Sequence, residues 1–192
     1  MLFKNKYRIE SSRLKGYNYS TPGAYYVTIV TKNRKCLFGN IENNKMIYNE
    51  VGKIVDNFWS EIPIHFPYVN MDEYVIMPNH LHGIIFIDET IKPAILTIVE
   101  TPDVETPDVE TPDVETPKLG VSTNDLKIRQ PVGVIINQFK RACTIEIRKI
   151  ENNFGWQSRF HDRIIRDENE LNRIRQYIIN NPLNWKSDEH FL

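Results

Sequence analysis

The first part of the chain alternates between strand-like and helix-like hydrophobic patterns. Residues 25–31 are mostly β-branched and aromatic, and they predict a strand. Residues 36–39 and 45–48 flank an Asn-rich turn and predict a small hairpin. From Asn49, apolar residues recur at helical spacing and predict a helix that ends near Pro63.

Longer strands and another helix follow. Residues 68–77 and 80–87 predict two strands joined by a tight Pro-Asn turn. An amphipathic helix is predicted from Val132 to about Ile150. Residues 159–166 alternate only partly and indicate a short strand or an extended crossing segment.

The last helix has signals at both ends. Asp167 is a predicted N-cap with Glu170 three residues later, and Pro182 stops the helix. The order strand, helix, strand, strand, helix, possible strand, helix predicts an α+β sandwich of the ferredoxin-like type. In this sandwich, helices cover one face of a mainly antiparallel sheet.

An acidic repeat interrupts this order, with Glu-Thr-Pro-Asp-Val occurring three times from Glu100. A proline at every fifth position blocks helix and sheet hydrogen bonding, and the repeat has too few apolar residues to fold. We therefore expect a single domain over residues 1–192, interrupted by a flexible insertion at about 93–121. Three roles stay open for it: a partner-binding tail, an acidic competitor for a basic groove, or a repeat expansion in a tolerant loop.

Composition narrows the class of protein. The 192 residues are 41% hydrophobic and 26% charged, as in an ordinary globular domain. No apolar run approaches the roughly 20 residues that span a bilayer, and the N-terminus lacks the apolar stretch of a secretion signal. Cys36 and Cys143 are far apart without metal-type spacing, so we expect reduced thiols in a cytoplasmic protein.

The net charge of −1 conceals a basic remainder. Residues 97–117 contain seven acidic residues and no Lys or Arg. Without them, 24 basic residues stand against 18 acidic ones, a balance of +6. A local basic face that binds nucleic acid is compatible with this balance.

Candidate chemistry begins with residues 77–83, Met-Pro-Asn-His-Leu-His-Gly. Side chains alternate faces along a strand, so His80 and His82 point the same way and Leu81 points into the packing behind them. Neutral imidazoles are common ligands of divalent metals. A His-x-His pair alone is more often structural, but the apolar strands on either side favour a rigid, central position.

A second motif occupies residues 177–182, Tyr-Ile-Ile-Asn-Asn-Pro. In a helix, Tyr177 and Asn181 lie one turn apart on one face. Alone, Tyr177 is more often a core residue with its hydroxyl at the rim, and Asn181 is as readily a helix cap. If the two motifs meet in the fold, His80, His82 and Asn181 could hold a divalent metal beside a phenol nucleophile, a combination that suits phosphodiester cleavage.

Basic and aromatic residues near these motifs are candidate DNA contacts, because cations neutralise phosphates and unpaired bases stack on rings. Core packing is an equally good interpretation for the tryptophan, and simple solvation for several arginines. The histidine among them is a better candidate for a plain surface position or for contacting a base than for transferring a proton. The candidates are Lys140, Arg141, Arg148, Trp156, Arg159, His161, Arg163 and Arg166.

The motifs occur in an order that resembles one protein family. The matching segments are residues 19–28, 37–39, 77–82, 139–142, 156–162, 164–166 and 177–182. Taken in this order, they resemble the single-strand DNA transposases of the His-hydrophobe-His tyrosine class, and most closely the branch associated with repetitive extragenic palindromes. The resemblance covers most of the chain except the acidic insertion, where the family usually has a much shorter connection.

This resemblance implies a ferredoxin-like enzyme in which His80 and His82 bind Mg²⁺ or Mn²⁺. It assigns Asn181 as the third ligand and Tyr177 as the nucleophile. The family cuts one strand of hairpin DNA, keeps the 5′ end as a phosphotyrosine and leaves a 3′ hydroxyl. Another strand's 3′ hydroxyl then rejoins the DNA without ATP. Some members form homodimers that exchange the tyrosine helix, so a homodimer is open here.

Two imidazoles and an amide bring no negative charge to a metal. We therefore expect loose metal binding, with the DNA phosphate completing the shell. Two alternatives remain open: a hairpin-binding protein with vestigial catalysis, and a metallohydrolase in which water, not Tyr177, attacks the DNA.

Overall fold

The fold is built on a central antiparallel sheet. The computed structural model describes residues 17–89, 129–188 and 190–191. In chain order its elements are β1 (Gly23–Val30), β2 (Gly39–Glu42), β3 (Lys45–Tyr48), α1 (Glu50–Ser60), α2 (Ile62–His65), β4 (Val69–Ile76), β5 (His80–Ile87), α3 (Val132–Ile147), β6 (His161–Ile165) and α4 (Glu168–Asn180), with 3-10 helices at Lys32–Arg34 and Trp185–Ser187. The sheet has the strand order β4-β5-β1-β6, and β2 and β3 form a separate hairpin. The predicted α+β fold class is confirmed.

Helices cover both faces of this sheet. On one face α1 and α3 pack around buried residues that include Trp59 and Leu81. On the other face α4 packs through Ile174 and Ile178 against Ile84. The sequence prediction of helices on one face is therefore wrong in this respect. Strand β5 carries buried apolar residues on both sides, so its second face also needs a cover.

Two of the predicted helix starts, those of α1 and α4, are confirmed by side-chain caps. Asn49 Oδ1 accepts a hydrogen bond from the Gly52 N–H at 2.9 Å, and Asp167 Oδ1 accepts one from the Glu170 N–H at 2.8 Å. Each cap satisfies an N–H that the first turn of a helix leaves without a partner. Helix α3 ends at Ile147, three residues before the predicted end.

Some expectations drawn from composition can be compared with the structure. Cys36 is exposed, Cys143 is buried, and both are free cysteines, as predicted. Within the described residues, no helix has the length and apolarity to cross a bilayer. The predicted flexible insertion at about 93–121 lies outside the described residues.

Candidate metal and nucleophile site

The two histidines lie side by side at the start of β5, on the face that α4 covers. The ring centroids of His80 and His82 are 4.5 Å apart, and the residues are 0% and 1% exposed. The Leu81 side chain and the bare side of Gly83 face the opposite core, as strand alternation requires. A Cβ at Gly83 would lie 2.3 Å from Cζ2 of Trp59, so the bare glycine lets the indole pack directly under the histidine strand.

Hydrogen bonds of Asn79 determine which nitrogen of His80 carries the proton. Asn79 Nδ2 donates to the backbone oxygens of Arg34 at 2.9 Å and His190 at 2.8 Å. The amide oxygen Oδ1 is therefore left to accept from His80 Nδ1, 2.8 Å away. His80 Nε2 keeps its lone pair, and it is buried with no hydrogen-bond partner among the described residues. A cation would satisfy this atom, so the arrangement fits a metal ligand.

His82 is oriented by two hydroxyl groups. Its Nδ1 lies 2.7 Å from the Tyr26 hydroxyl and 2.9 Å from Thr28 Oγ1, while Nε2 lies 3.3 Å from the Tyr177 hydroxyl. Burial lowers the pKa of His82 to about 3 and also lowers the pKa of His80. Both rings are therefore neutral at pH 7, which is the form that binds metals.

Helix α4 brings the tyrosine motif to the same place. The Tyr177 residue is 43% exposed, with its hydroxyl beside His82 as given above. Asn181, the C-cap residue of α4, is 2% exposed, and its Oδ1 is buried without a hydrogen-bond partner in the described ranges. The four candidate site residues of the two motifs therefore lie together within one chain: His80, His82, Tyr177 and Asn181.

The structure adds two residues that sequence reasoning missed, Asp188 and His190. Asp188 Oδ2 accepts hydrogen bonds from Asn181 Nδ2 at 3.2 Å and from the Tyr177 hydroxyl at 3.4 Å. Potential ligand atoms of His80, His82 and Asp188 all lie within 4.8 Å of one another. The His190 ring centroid is 4.6 Å from that of His80. Their only signal in the sequence was residue type, because no motif or period links them to the sheet.

Two of the predicted DNA contacts pack against other parts of the protein: Lys140 is buried and Trp156 is half-buried. Lys140 is 9% exposed, its ammonium donates to the Gln157 carbonyl at 2.7 Å, and burial lowers its pKa. Trp156 packs against the rings of Phe38 and Phe154 at centroid distances of 5.4 and 5.2 Å. Its indole N–H donates to the Lys140 carbonyl at 3.2 Å. Both side chains therefore stabilise the packing between α3 and the segment before β6.

The other predicted contacts are exposed: Arg141, Arg148, Arg159, His161, Arg163 and Arg166. Arg163 and Arg166 line an open cavity of about 430 Å³ together with Arg173, Asp167, Asn169 and Glu170. Glu170 partly neutralises this cavity, because it forms ion pairs with Arg163 and Arg173. The His161 ring lies 6.5 Å from that of Tyr26, at the edge of the histidine site.

A bacterial relative of similar length shows which family the chain belongs to. No model of a known protein family matches the chain. An uncharacterized protein of Haemophilus influenzae is 39% identical over 188 residues, which cover 95% of this chain and 92% of that protein. The chain belongs to the same family as this Haemophilus protein.

A solved structure of a REP-associated tyrosine transposase bound to a REP hairpin is similar to the chain in fold. The TM-score is 0.53, and the match covers 92% of this chain and 74% of that chain at 14% identity. The resemblance found in the sequence is therefore confirmed for the fold.

Proposed function

We propose that the protein is a metal-dependent transposase that cuts and rejoins single-stranded hairpin DNA through a phosphotyrosine at Tyr177. One observation carries this proposal: the Tyr177 hydroxyl lies 3.3 Å from Nε2 of His82, in a site where His80 presents a buried imidazole lone pair. The fold shared with a tyrosine transposase supports the same function.

In the proposed reaction, the phenol oxygen of Tyr177 attacks the phosphorus of a DNA phosphodiester. A phosphorus–tyrosine oxygen bond forms and the bond to the 3′ oxygen breaks. The phenol loses its proton, and the leaving 3′ oxygen takes one up. Each bond broken is replaced by one of the same kind, so a 3′ hydroxyl from another strand can reverse the step without ATP.

The chain's own residues would prepare this step. His80 and His82 would hold Mg²⁺ or Mn²⁺ through their Nε2 atoms, with the buried Oδ1 of Asn181 as a further ligand. A bound divalent ion offsets phosphate charge and orients the phosphorus for in-line attack. A phenol has a pKa of about 10, so Tyr177 is a weak nucleophile near neutral pH and needs a nearby base or cation to help it lose its proton.

An ion pair positions the helix that carries the phenol. Arg175 Nε donates to both carboxylate oxygens of Asp72, at 3.1 and 3.2 Å. The guanidinium holds the pKa of Asp72 below its usual value. This contact joins α4 to strand β4 at the irregularity between Met71 and Tyr74. Together with the small apolar contact of α4 on the sheet, it orients Tyr177 toward the histidines.

We assign DNA binding to the exposed cations and leave Lys140 and Trp156 as packing residues. The open cavity lined by Arg163 and Arg166 lies at the first turn of α4 and includes Asp167. Tyr177 lies ten residues after Asp167 in the sequence. At 1.5 Å per residue the two are about 15 Å apart, close to the span of four stacked nucleotides at about 3.4 Å each. His161 lies near the site edge, where a base could stack. Arg163 and Arg166 contribute through this cavity, and the remaining proposed contacts are Arg141, Arg148 and Arg159.

The test is covalent capture of labelled hairpin DNA in the presence of Mn²⁺. We expect the wild-type protein to become labelled, and Tyr177→Phe to lose the label while binding the hairpin almost as tightly. The matched control is Tyr48→Phe, which removes a phenol from strand β3 and should label normally. Equal labelling of Tyr177→Phe would remove Tyr177 from the reaction. Strand scission that persists in this variant, without a covalent link, would instead identify water as the nucleophile. Salt-sensitive binding without any cleavage would identify a hairpin-binding protein with vestigial catalysis.

A further inference from the structure

We infer that Asp188 is an anionic ligand of the metal at the histidine pair, so the metal centre includes a carboxylate that neither motif contains. The inference rests on the proposed function for the presence of a metal, but its test does not require DNA chemistry. It changes the expected charge of the centre and ties the end of the described chain to the site.

The first argument is the position of the carboxylate. Ligand atoms of His80, His82 and Asp188 lie within 4.8 Å of one another, and no other such group occurs in the ranges that the structure describes. Ligands about 2.1 Å from a shared ion lie about 3 to 4 Å apart. Small side-chain movements therefore suffice to close these three atoms around one ion.

The second argument is that Asp188 is held in place on both of its oxygens. Oδ1 accepts a hydrogen bond from the His190 N–H at 2.7 Å, and Oδ2 accepts from Asn181 and Tyr177. The His190 carbonyl in turn accepts from Asn79, the residue that orients His80. Hydrogen bonds therefore link Asp188 through His190 to Asn79, the residue that sets the tautomer of His80.

The third argument comes from two buried atoms near the carboxylate, each of which lacks a hydrogen-bond donor among the described residues. His80 Nε2 and Asn181 Oδ1 belong to residues that are 0% and 2% exposed, and within the described chain neither atom has a hydrogen-bond partner. Such atoms are costly to bury unless a proton donor or a cation satisfies them. A divalent cation next to Asp188 would satisfy both and would balance the carboxylate charge.

The consequence is a tighter centre than the two motifs predict. Two imidazoles and an amide leave the ion without a charged ligand, whereas Mg²⁺ and Mn²⁺ prefer carboxylate oxygen. With Asp188 in the shell, the protein should bind Mn²⁺ before any DNA phosphate arrives. Asp188 also accepts a hydrogen bond from Tyr177, so the same carboxylate would place the nucleophile beside the ion.

The test is a titration of the full-length, DNA-free protein with Mn²⁺. Binding is measured as the loss of the free-ion signal in electron paramagnetic resonance. Loss of a residue that only supports a metal ligand costs about 10- to 100-fold in affinity, and loss of a ligand should cost at least as much. We therefore expect Asp188→Asn, which keeps the shape and removes the charge, to weaken Mn²⁺ binding at least about tenfold. Glu42→Gln removes one exposed charge from the β2–β3 hairpin and should leave binding unchanged.

A carboxylate of different length separates ligation from folding. Asp188→Glu restores the charge and should bind Mn²⁺ more tightly than Asp188→Asn, while thermal unfolding checks that both proteins fold. Unchanged Mn²⁺ affinity in Asp188→Asn, or no Mn²⁺ binding by the wild-type protein, overturns the inference. Neither result decides the role of Tyr177, which the covalent capture of DNA tests separately.

Discussion

Replacing Asn79 tests how the protein prepares His80 for a metal. The Asn79 residue is 0% exposed, and its amide makes the three hydrogen bonds that fix the ring: two donated to backbone carbonyls and one accepted from His80 Nδ1. Asn79→Ala removes all three together. The Nδ1–H then has no acceptor from this side chain, and the proton can move to Nε2, where it blocks metal ligation.

The expected size of the effect follows from these contacts. Leaving a buried polar group unsatisfied costs about 1–3 kcal/mol. Three groups lose a partner, but water entering the space left by the amide will satisfy some of them, so we expect the unfolding free energy to fall by about 3 kcal/mol. Loss of this supporting contact should also weaken Mn²⁺ binding about 10- to 100-fold, which corresponds to about 1.4 to 2.8 kcal/mol.

Asn79→Asp is the matched control. It keeps an oxygen to accept from His80 Nδ1 but loses the two donated hydrogen bonds, so stability should fall while Mn²⁺ affinity stays close to the wild-type value. Urea unfolding and Mn²⁺ titration of the three proteins make the comparison. Wild-type Mn²⁺ affinity in Asn79→Ala would refute the tautomer argument. So would an equal loss of affinity in both variants.

Two further predictions concern the strand and its protonation. Gly83→Ala places a methyl group against the Trp59 ring. Urea unfolding should show that the unfolding free energy falls by about 1–3 kcal/mol. Adding Trp59→Phe to this variant should recover part of the loss. The folded-state pKa of His82, about 3, lies below its ordinary value of about 6.5, so the unfolded state binds more protons between these values. In metal-free protein, the unfolding free energy should therefore lose up to about 1.4 kcal/mol per pH unit from His82 as the pH falls below about 6.5. His82→Gln should reduce this slope and leave the part that the buried His80 contributes, and an unchanged slope would contradict the assignment.

The motif residues could be predicted because their relations are local. His80 and His82 share a face through the two-residue period of a strand, and Tyr177 and Asn181 share one through the helical turn. Each motif therefore brings its own two side chains together before any tertiary contact forms. That the two pairs meet depended on the resemblance to a known family.

Asp188 and Asn79 could not be assigned roles in the same way. Asp188 reaches the site because the chain turns back to the sheet after α4, and no hydrophobic period marks that return. The role of Asn79 depends on carbonyl groups of Arg34 and His190, which are remote in sequence. Trp156 shows the reverse difficulty, because an aromatic residue among arginines suits a stacking surface and a core equally well until its neighbours are known.

The central claim is that Tyr177 becomes covalently joined to DNA, and mass spectrometry of the trapped adduct tests it most directly. After digestion with nuclease and trypsin, a nucleotide mass should be found on the peptide Gln176–Lys186, in which Tyr177 is the single tyrosine. A nucleotide on another peptide, or cut DNA with no modified peptide, would contradict the claim.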